Sequence, residues 1–282
     1  MSKVAIITDT TSYIPKDIRE AENIHAVALE VVFGNVSYKE ELELSTGEFY
    51  KKIRESENLP TTSQPPFGDF LELFEKLSET HDEAVVITLS SAISGTYQTA
   101  ASAANMVENI DVHVFDSEIS CHAQAYYVIE AAEMAKANDS AETIMTHLEA
   151  MRDTGMSAYF MVDDLNHLHR GGRLTGAQLF VGSLLRMKPI LAFRDKRIIP
   201  AEKIRTKKKA INRIKELFDG IAGTGKPTKA FVIHANRPDD AKALADEIQV
   251  KYSNVDVEIT YFGAVIGTHV GEGTIGIGWY QP

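Results

Sequence analysis

The chain has 282 residues, 44% of them hydrophobic and 24% charged, an ordinary globular composition that excludes a disordered or fibrous protein. Its one cysteine, Cys121, allows no intrachain disulfide. No segment approaches the ~20 uncharged apolar residues of a membrane span, and the apolar run before Asp9 is too short for a signal peptide, so a soluble, cytoplasmic protein is expected. The net charge of -11 argues against general nucleic-acid binding.

Val4 to Thr8 is a short β-branched run followed by turn residues, which predicts a buried strand, with Pro15 opening a helix. Helical patterns follow at Phe67 to Leu77, Thr96 to Val107, Ala123 to Ala137 and Ala141 to Arg152, the last capped by Ser140. Between them lie strand-like runs at Ala84 to Leu89 and Val112 to Phe115. Strands alternating with helices of this length predict a parallel sheet with covering helices. Beyond residue 156 the pattern changes. A strand is expected at Ser157 to Val162 and a short helix at Gly176 to Arg186. Two antiparallel strands are expected around the turn Asp195-Lys196, then a basic helix at Lys207 to Phe218. Ala230 to His234, a helix from Pro238 to Tyr252, Val255 to Phe262 and the glycine-rich Thr274 to Trp279 complete an α+β pattern. Two domains are therefore expected, 1–156 with a parallel sheet and 157–282 with a mixed or antiparallel one. Charge is unevenly divided between them: Asp164 to Lys215 holds 14 basic and 3 acidic residues, against 15 basic and 37 acidic in the remainder. Such a band suits an anionic partner, or a solvated helix face.

In parallel α/β domains ligands gather at the carboxyl ends of strands, where helix N-termini offer free N–H groups. Leu89-Ser90-Ser91-Ala92-Ile93-Ser94-Gly95-Thr96-Tyr97 belongs at such an end. Ser94 offers a hydroxyl, and Gly95 would let a ligand approach the backbone, although a plain serine cap explains a lone Ser-Gly more simply. Pro60-Thr61-Thr62-Ser63-Gln64-Pro65-Pro66 reads as a rigid polar loop with three adjacent hydroxyls. A third candidate loop surrounds His269, among Gly263, Gly267, Gly271 and Gly273. Phosphate-loop, Gly-x-Ser-x-Gly, His-Glu-x-x-His and Cys-x-x-Cys patterns are missing, so no metal site or catalytic residue is assigned. Gly271-Glu272-Gly273-Thr274-Ile275-Gly276 matches a dinucleotide spacing but has no helix after it.

Five motifs occur in order: Ile7-Thr8-Asp9-Thr10-Thr11, Thr62-Ser63-Gln64-Pro65, Leu89 to Tyr97, His169-Arg170-Gly171-Gly172-Arg173 and Gly267-Thr268-His269-Val270-Gly271. Together they resemble the DegV family of bacterial fatty-acid-binding proteins, across essentially the whole chain. The resemblance implies an N-terminal α/β domain of the dihydroxyacetone-kinase group, a second domain packed on it, and a long-chain fatty acid in a tunnel between them. It implies that Thr62 and Ser94 bind the carboxylate, with Ser63, Gly95 and His269 beside it. It further implies a carrier without cofactor that presents the carboxylate to a separate fatty acid kinase, for acyl-phosphate formation and phospholipid synthesis. Arg170, Arg173 and Arg205 would then face the kinase or the acyl phosphate, and transient membrane contact is allowed. Relatives commonly have Gly-Pro-Gly where this chain has Gly271-Glu272-Gly273, an exchange expected to loosen that turn.

The chemistry is sound on its own terms. Each buried methylene contributes ~0.8 kcal/mol, so ten or more give roughly 8 kcal/mol before ordering costs. A carboxylate offsets that gain unless it meets donors, which hydroxyls and a helix end provide. The competing readings are a phosphotransferase or hydrolase using His269 on a small anionic substrate, and nucleic-acid binding through Lys207-Lys208-Lys209, which lacks interleaved aromatics.

Overall fold

The computed structural model describes residues 3–175 and 187–282; the helix expected at 176–186 lies outside the described residues. The chain forms two compact units, residues 1–43 with 62–154, and residues 44–61 with 155–282. A single division after residue 156 therefore misses the excursion of Leu44–Thr61 into the second unit.

In chain order the first elements are β1 (Val4–Asp9), α1 (Lys16–Glu22), β2 (Ile24–Val27), β3 (Glu30–Phe33) and β4 (Val36–Lys39). The excursion carries α2 (Thr46–Glu55) and leads into β5 (Thr61–Ser63) and α3 (Phe67–Ser78). Then come β6 (Glu83–Thr88), α4 (Thr96–Ala104), β7 (Asp111–Asp116), α5 (His122–Lys136) and α6 (Ala141–Gly155). The main sheet of the first unit is wholly parallel, in the order β2-β1-β6-β7. From β1 the chain steps outward to β2, and from β6 it steps the opposite way to β7. The crevice between the carboxyl ends of β1 and β6 is thus a topological switch point, where this class of sheet takes its ligands. One face of the sheet, with Ala5, Ile7, Ala84 and Val86, packs on Phe70, Phe74 and Leu77 of α3 and Ala100 and Ala103 of α4. A separate three-stranded sheet has the order β4-β3-β5. The residues expected to form a polar loop, Thr61 to Ser63, are its short strand β5.

The second unit continues with β8 (Ser157–Met161), α7 (Asn166–Arg170), β9 (Ile190–Arg194), β10 (Arg197–Glu202) and α8 (Lys207–Ala222). It ends with β11 (Thr228–His234), α9 (Pro238–Lys251), β12 (Val255–Tyr261), α10 (Ala264–Val270) and β13 (Ile275–Tyr280). Its six-stranded sheet is mixed, in the order β10-β9-β8-β13-β11-β12, with only β11 and β12 parallel. The expected turn at Asp195-Lys196 has φ of 48° and 67°, the two left-handed residues of a tight two-residue hairpin. Phe218 of α8 and Tyr159 of β8 pack against Trp279 at ring separations of 5.4 and 5.5 Å.

Of the basic band, Lys188, Lys207, Arg213 and Lys215 pair with Asp163, Asp240, Glu202 and Glu247. The glycines of β13 leave room for neighbours: Gly278 lies opposite Phe231, and a Cβ there would sit 2.1 Å from the Phe231 ring. Overpacking of this kind costs about 1–3 kcal/mol, so Gly278→Ala should lower the urea midpoint with an unchanged m-value. An unaltered midpoint would show that Phe231 moves aside freely.

Candidate functional site

The candidate site of the first unit is built on Asp9, the last residue of β1. Its carboxylate is fully buried and accepts four hydrogen bonds. Thr11 donates its N–H at 3.0 Å and its hydroxyl at 2.5 Å, holding the turn that follows β1. The N–H of Leu89 donates at 2.8 Å from the end of β6, across the switch point. Gln124 of α5 donates Nε2 at 3.2 Å and reaches Thr8 Oγ1 at 3.1 Å. Burial pushes the Asp9 carboxyl above its ordinary value, while the hydrogen bonds act in the opposite direction.

The same loop is pinned again two residues on. Asp116, ending β7, accepts from the N–H of Ser91 at 3.0 Å and from its hydroxyl at 2.5 Å. Ser90 donates its N–H to Ile119 O at 2.7 Å, and Ser94 donates its own to Ser90 O at 3.3 Å. The segment from Leu89 to Ser94 is therefore fixed by two strand-end carboxylates and delivers Ser94 to the start of α4. There Ser94 Oγ accepts from the N–H of Thr96 at 3.3 Å and shares a hydrogen bond with Thr96 Oγ1 at 2.9 Å. The first N–H bonded back along α4 is that of Thr99, to Gly95 O at 3.0 Å, so the first-turn amides lie at the positive helix end beside Ser94.

Thr62 is half-buried in β5 and Ser63 is exposed beside it. The next side chain, Gln64, lies directly on Gly95: a Cβ on that glycine would be 1.9 Å from Gln64 Oε1. The close approach expected of a ligand at Gly95 is thus made by the chain's own glutamine, because the amide is also held by Thr99 Oγ1 at 2.6 Å. An open hollow of about 620 Å³ adjoins this contact, lined by Ser63, Gln64, Phe67, Gly95, Gln98 and Thr99 among others. Cys121 is buried ahead of α5 with its thiol pushed up to about 12, so it stays protonated and unreactive.

In the second unit the expected loop around His269 is the buried helix α10. Gly267 serves packing rather than a turn: a Cβ there would sit 2.8 Å from both Phe49 Cε1 and Tyr50 Oη of α2, and Tyr50 donates to Phe262 O at 2.8 Å. Helix α7 brings the His169-to-Arg173 segment against α10. A Cβ on Gly171 would lie 2.4 Å from His269 Nδ1, and His167 Nδ1 is 3.2 Å from Thr268 O. Arg173 donates to Gly171 O at 2.5 Å beside them. Burial, then the Arg173 and His167 charges, drive His269 down to about 3, leaving it neutral near pH 7 and a poor proton acceptor. Arg170 and Arg205 are exposed. The exchange to Glu272 does not leave its turn untethered, since the carboxylate accepts from Asn236 Nδ2 at 2.6 Å and Arg54 at 3.2 Å.

Glu83, Asp111 and His113 are a group of metal-ligating type among the described residues, with candidate atoms within 4.8 Å of one another. They lie on β6 and β7 near the amino ends, remote from the carboxyl-end loops. Sequence reasoning missed the roles of Asp9, Gln64, Asp116, Gln124 and His167. For Asp9 the available signal was an acidic residue closing an apolar run before three hydroxyl residues.

Comparison with known proteins identifies the lineage. The family described as "Uncharacterised protein, DegV family" matches residues 3–282. The chain belongs to the DegV family. It is 53% identical over 277 residues to Protein DegV of Bacillus subtilis, covering 98% of each chain. It is also 48% identical to a DegV domain-containing protein of Listeria innocua, again covering 98% of both. Among solved structures it is similar to the fatty-acid-binding DegV of Bacillus subtilis, with a TM-score of 0.95, 52% identity and full coverage of both chains. A DegV family protein of Thermus thermophilus described for fatty acid binding follows at 0.92 and 32%, also with full coverage.

The histidine gives a pH test. His269 titrates near its ordinary value when unfolded but near 3 when folded, so falling pH favours the unfolded state between about 6.5 and 3. The slope from this group approaches about 1.4 kcal/mol per pH unit. Urea titrations at pH 7, 5 and 4 should show a steeper loss of stability in the parent than in His269→Gln. Equal slopes would contradict a neutral buried imidazole.

Proposed function

We propose that this protein binds a long-chain fatty acid without transforming it and holds the carboxylate at the start of α4. The observation that carries this reading is Ser94, delivered to a helix N-terminus by a loop that Asp9 and Asp116 pin at the switch point. Thr62 and Ser94 are assigned as carboxylate donors, with Ser63 and Gly95 adjoining them. Hydroxyls and a helix end stabilise an anion without a full opposing charge, which suits an acid that must also be released. The fatty-acid-binding relatives at 52% and 32% identity support the ligand class.

We further assign the bound acid as the substrate of a separate fatty acid kinase. ATP would supply the γ-phosphoryl group, a carboxylate oxygen would attack it, and ADP would leave, giving an acyl phosphate for phospholipid synthesis. Arg170, Arg173 and Arg205 are assigned to the kinase or to the acyl phosphate. His269 is buried, which keeps a phosphoryl donor from its ring nitrogens and weighs against a phosphotransferase.

Mass spectrometry of organic extracts from the purified protein should show a stoichiometric long-chain fatty acid. Ser94→Ala and Thr62→Ala should each weaken palmitate binding by about 10-fold, the scale of one hydrogen bond to a charged group, with little change in the ligand-free melt. An empty extract together with no binding of added palmitate or oleate would overturn the reading.

A further inference from the structure

We infer that Gln64 is a positioning residue that clasps the Thr62 strand to the Ser94 loop and so sets the geometry of the carboxylate site; this rests on the carboxylate assignment made above. Thr62 and Ser94 lie on segments 32 residues apart in sequence. Two hydroxyls can serve one carboxylate only if their separation is held, because misplacement by even an ångström forfeits a hydrogen bond. Gln64, two residues beyond Thr62, reaches across to the other segment. Its Nε2 donates to Thr99 Oγ1 at 2.6 Å. Thr99 Oγ1 donates in turn to Gly95 O at 3.2 Å, the same carbonyl that receives the N–H of Thr99 at 3.0 Å. The Gln64 amide oxygen meanwhile occupies the space a Cβ on residue 95 would need.

Glycine at 95 is thus explained without a positive φ: its backbone is ordinary, at φ -79°, and the side chain is omitted so that the amide can lie flat on the loop. An amide is the suitable group here. A carboxylate in its place could not donate to Thr99 and would set a negative charge beside a site for an anion.

Palmitate affinity, read by calorimetry on the full-length protein, tests the clasp. Gln64→Ala should weaken binding roughly 3- to 10-fold, the scale of one neutral hydrogen bond. Because the side chain is exposed, the ligand-free melting temperature should stay near the parent's. Thr99→Val should reproduce the loss and add little to Gln64→Ala, since both break one link. The deciding measurement is the double-mutant cycle with Ser94→Ala. If Gln64 acts through the Ser94 loop, removing it from the Ser94→Ala protein should weaken binding less than 2-fold. Parent-like binding by Gln64→Ala, or losses that simply multiply in the double variant, would overturn the inference. Failure of the carboxylate assignment looks different: Ser94→Ala and Thr62→Ala would then themselves bind normally.

Discussion

The first unit depends on one buried carboxylate. Asp9 stands at the end of the central strand β1 and receives donors from the turn after β1, the loop after β6 and helix α5. Burying a charge without such partners would cost several kcal/mol. Here the four hydrogen bonds offset part of that cost, burial still holding the carboxyl above its ordinary value, and Asp9 fixes where the β6 loop begins. Asp116 repeats the device from β7. Two acidic strand ends thus set a hydroxyl-rich loop in place, while neither lies exposed where it would repel an anionic ligand.

The second unit holds its polar residues by a different route. Glycines 171, 267 and 271 allow α7, α10 and α2 to approach closely: His269 and His167 fill the spaces at 171 and 271, and Phe49 and Tyr50 that at 267. His269 is kept neutral by burial and by Arg173. The excursion of α2 into this unit places Phe49 and Tyr50 against Gly267, so a segment from the first half of the chain completes the support of α10.

Much of the fold was legible in the sequence because its central strands are continuous apolar runs. β1, β6 and β7 announced themselves through Val4 to Thr8, Ala84 to Leu89 and Val112 to Phe115, and the hairpin through Asp195-Lys196. The flanking pieces were not legible. β2 is interrupted by His25, and β3 and β4 are four residues each, too short for a periodic signal. Helix α2 did carry a readable mark, the capping box of Ser45 and Glu48. Helix α10 was hidden because its glycines look like turn residues, although Gly267 is there for packing. At the site, the serine loop could be located from strand-then-helix order, but a clasp such as Gln64 on Gly95 joins segments that only the folded chain brings together. The family resemblance supplied the ligand class, which no spacing of hydroxyls specifies.

The central claim is that the hydroxyl-lined start of α4 receives a carboxylate. Carbon NMR of carboxyl-labelled palmitate added to the purified protein addresses it at the atom concerned. The account predicts one discrete bound carboxyl resonance, distinct from free and micellar palmitate, whose position moves in Ser94→Ala. A spectrum containing only free or micellar palmitate, or a bound resonance indifferent to Ser94, would contradict it.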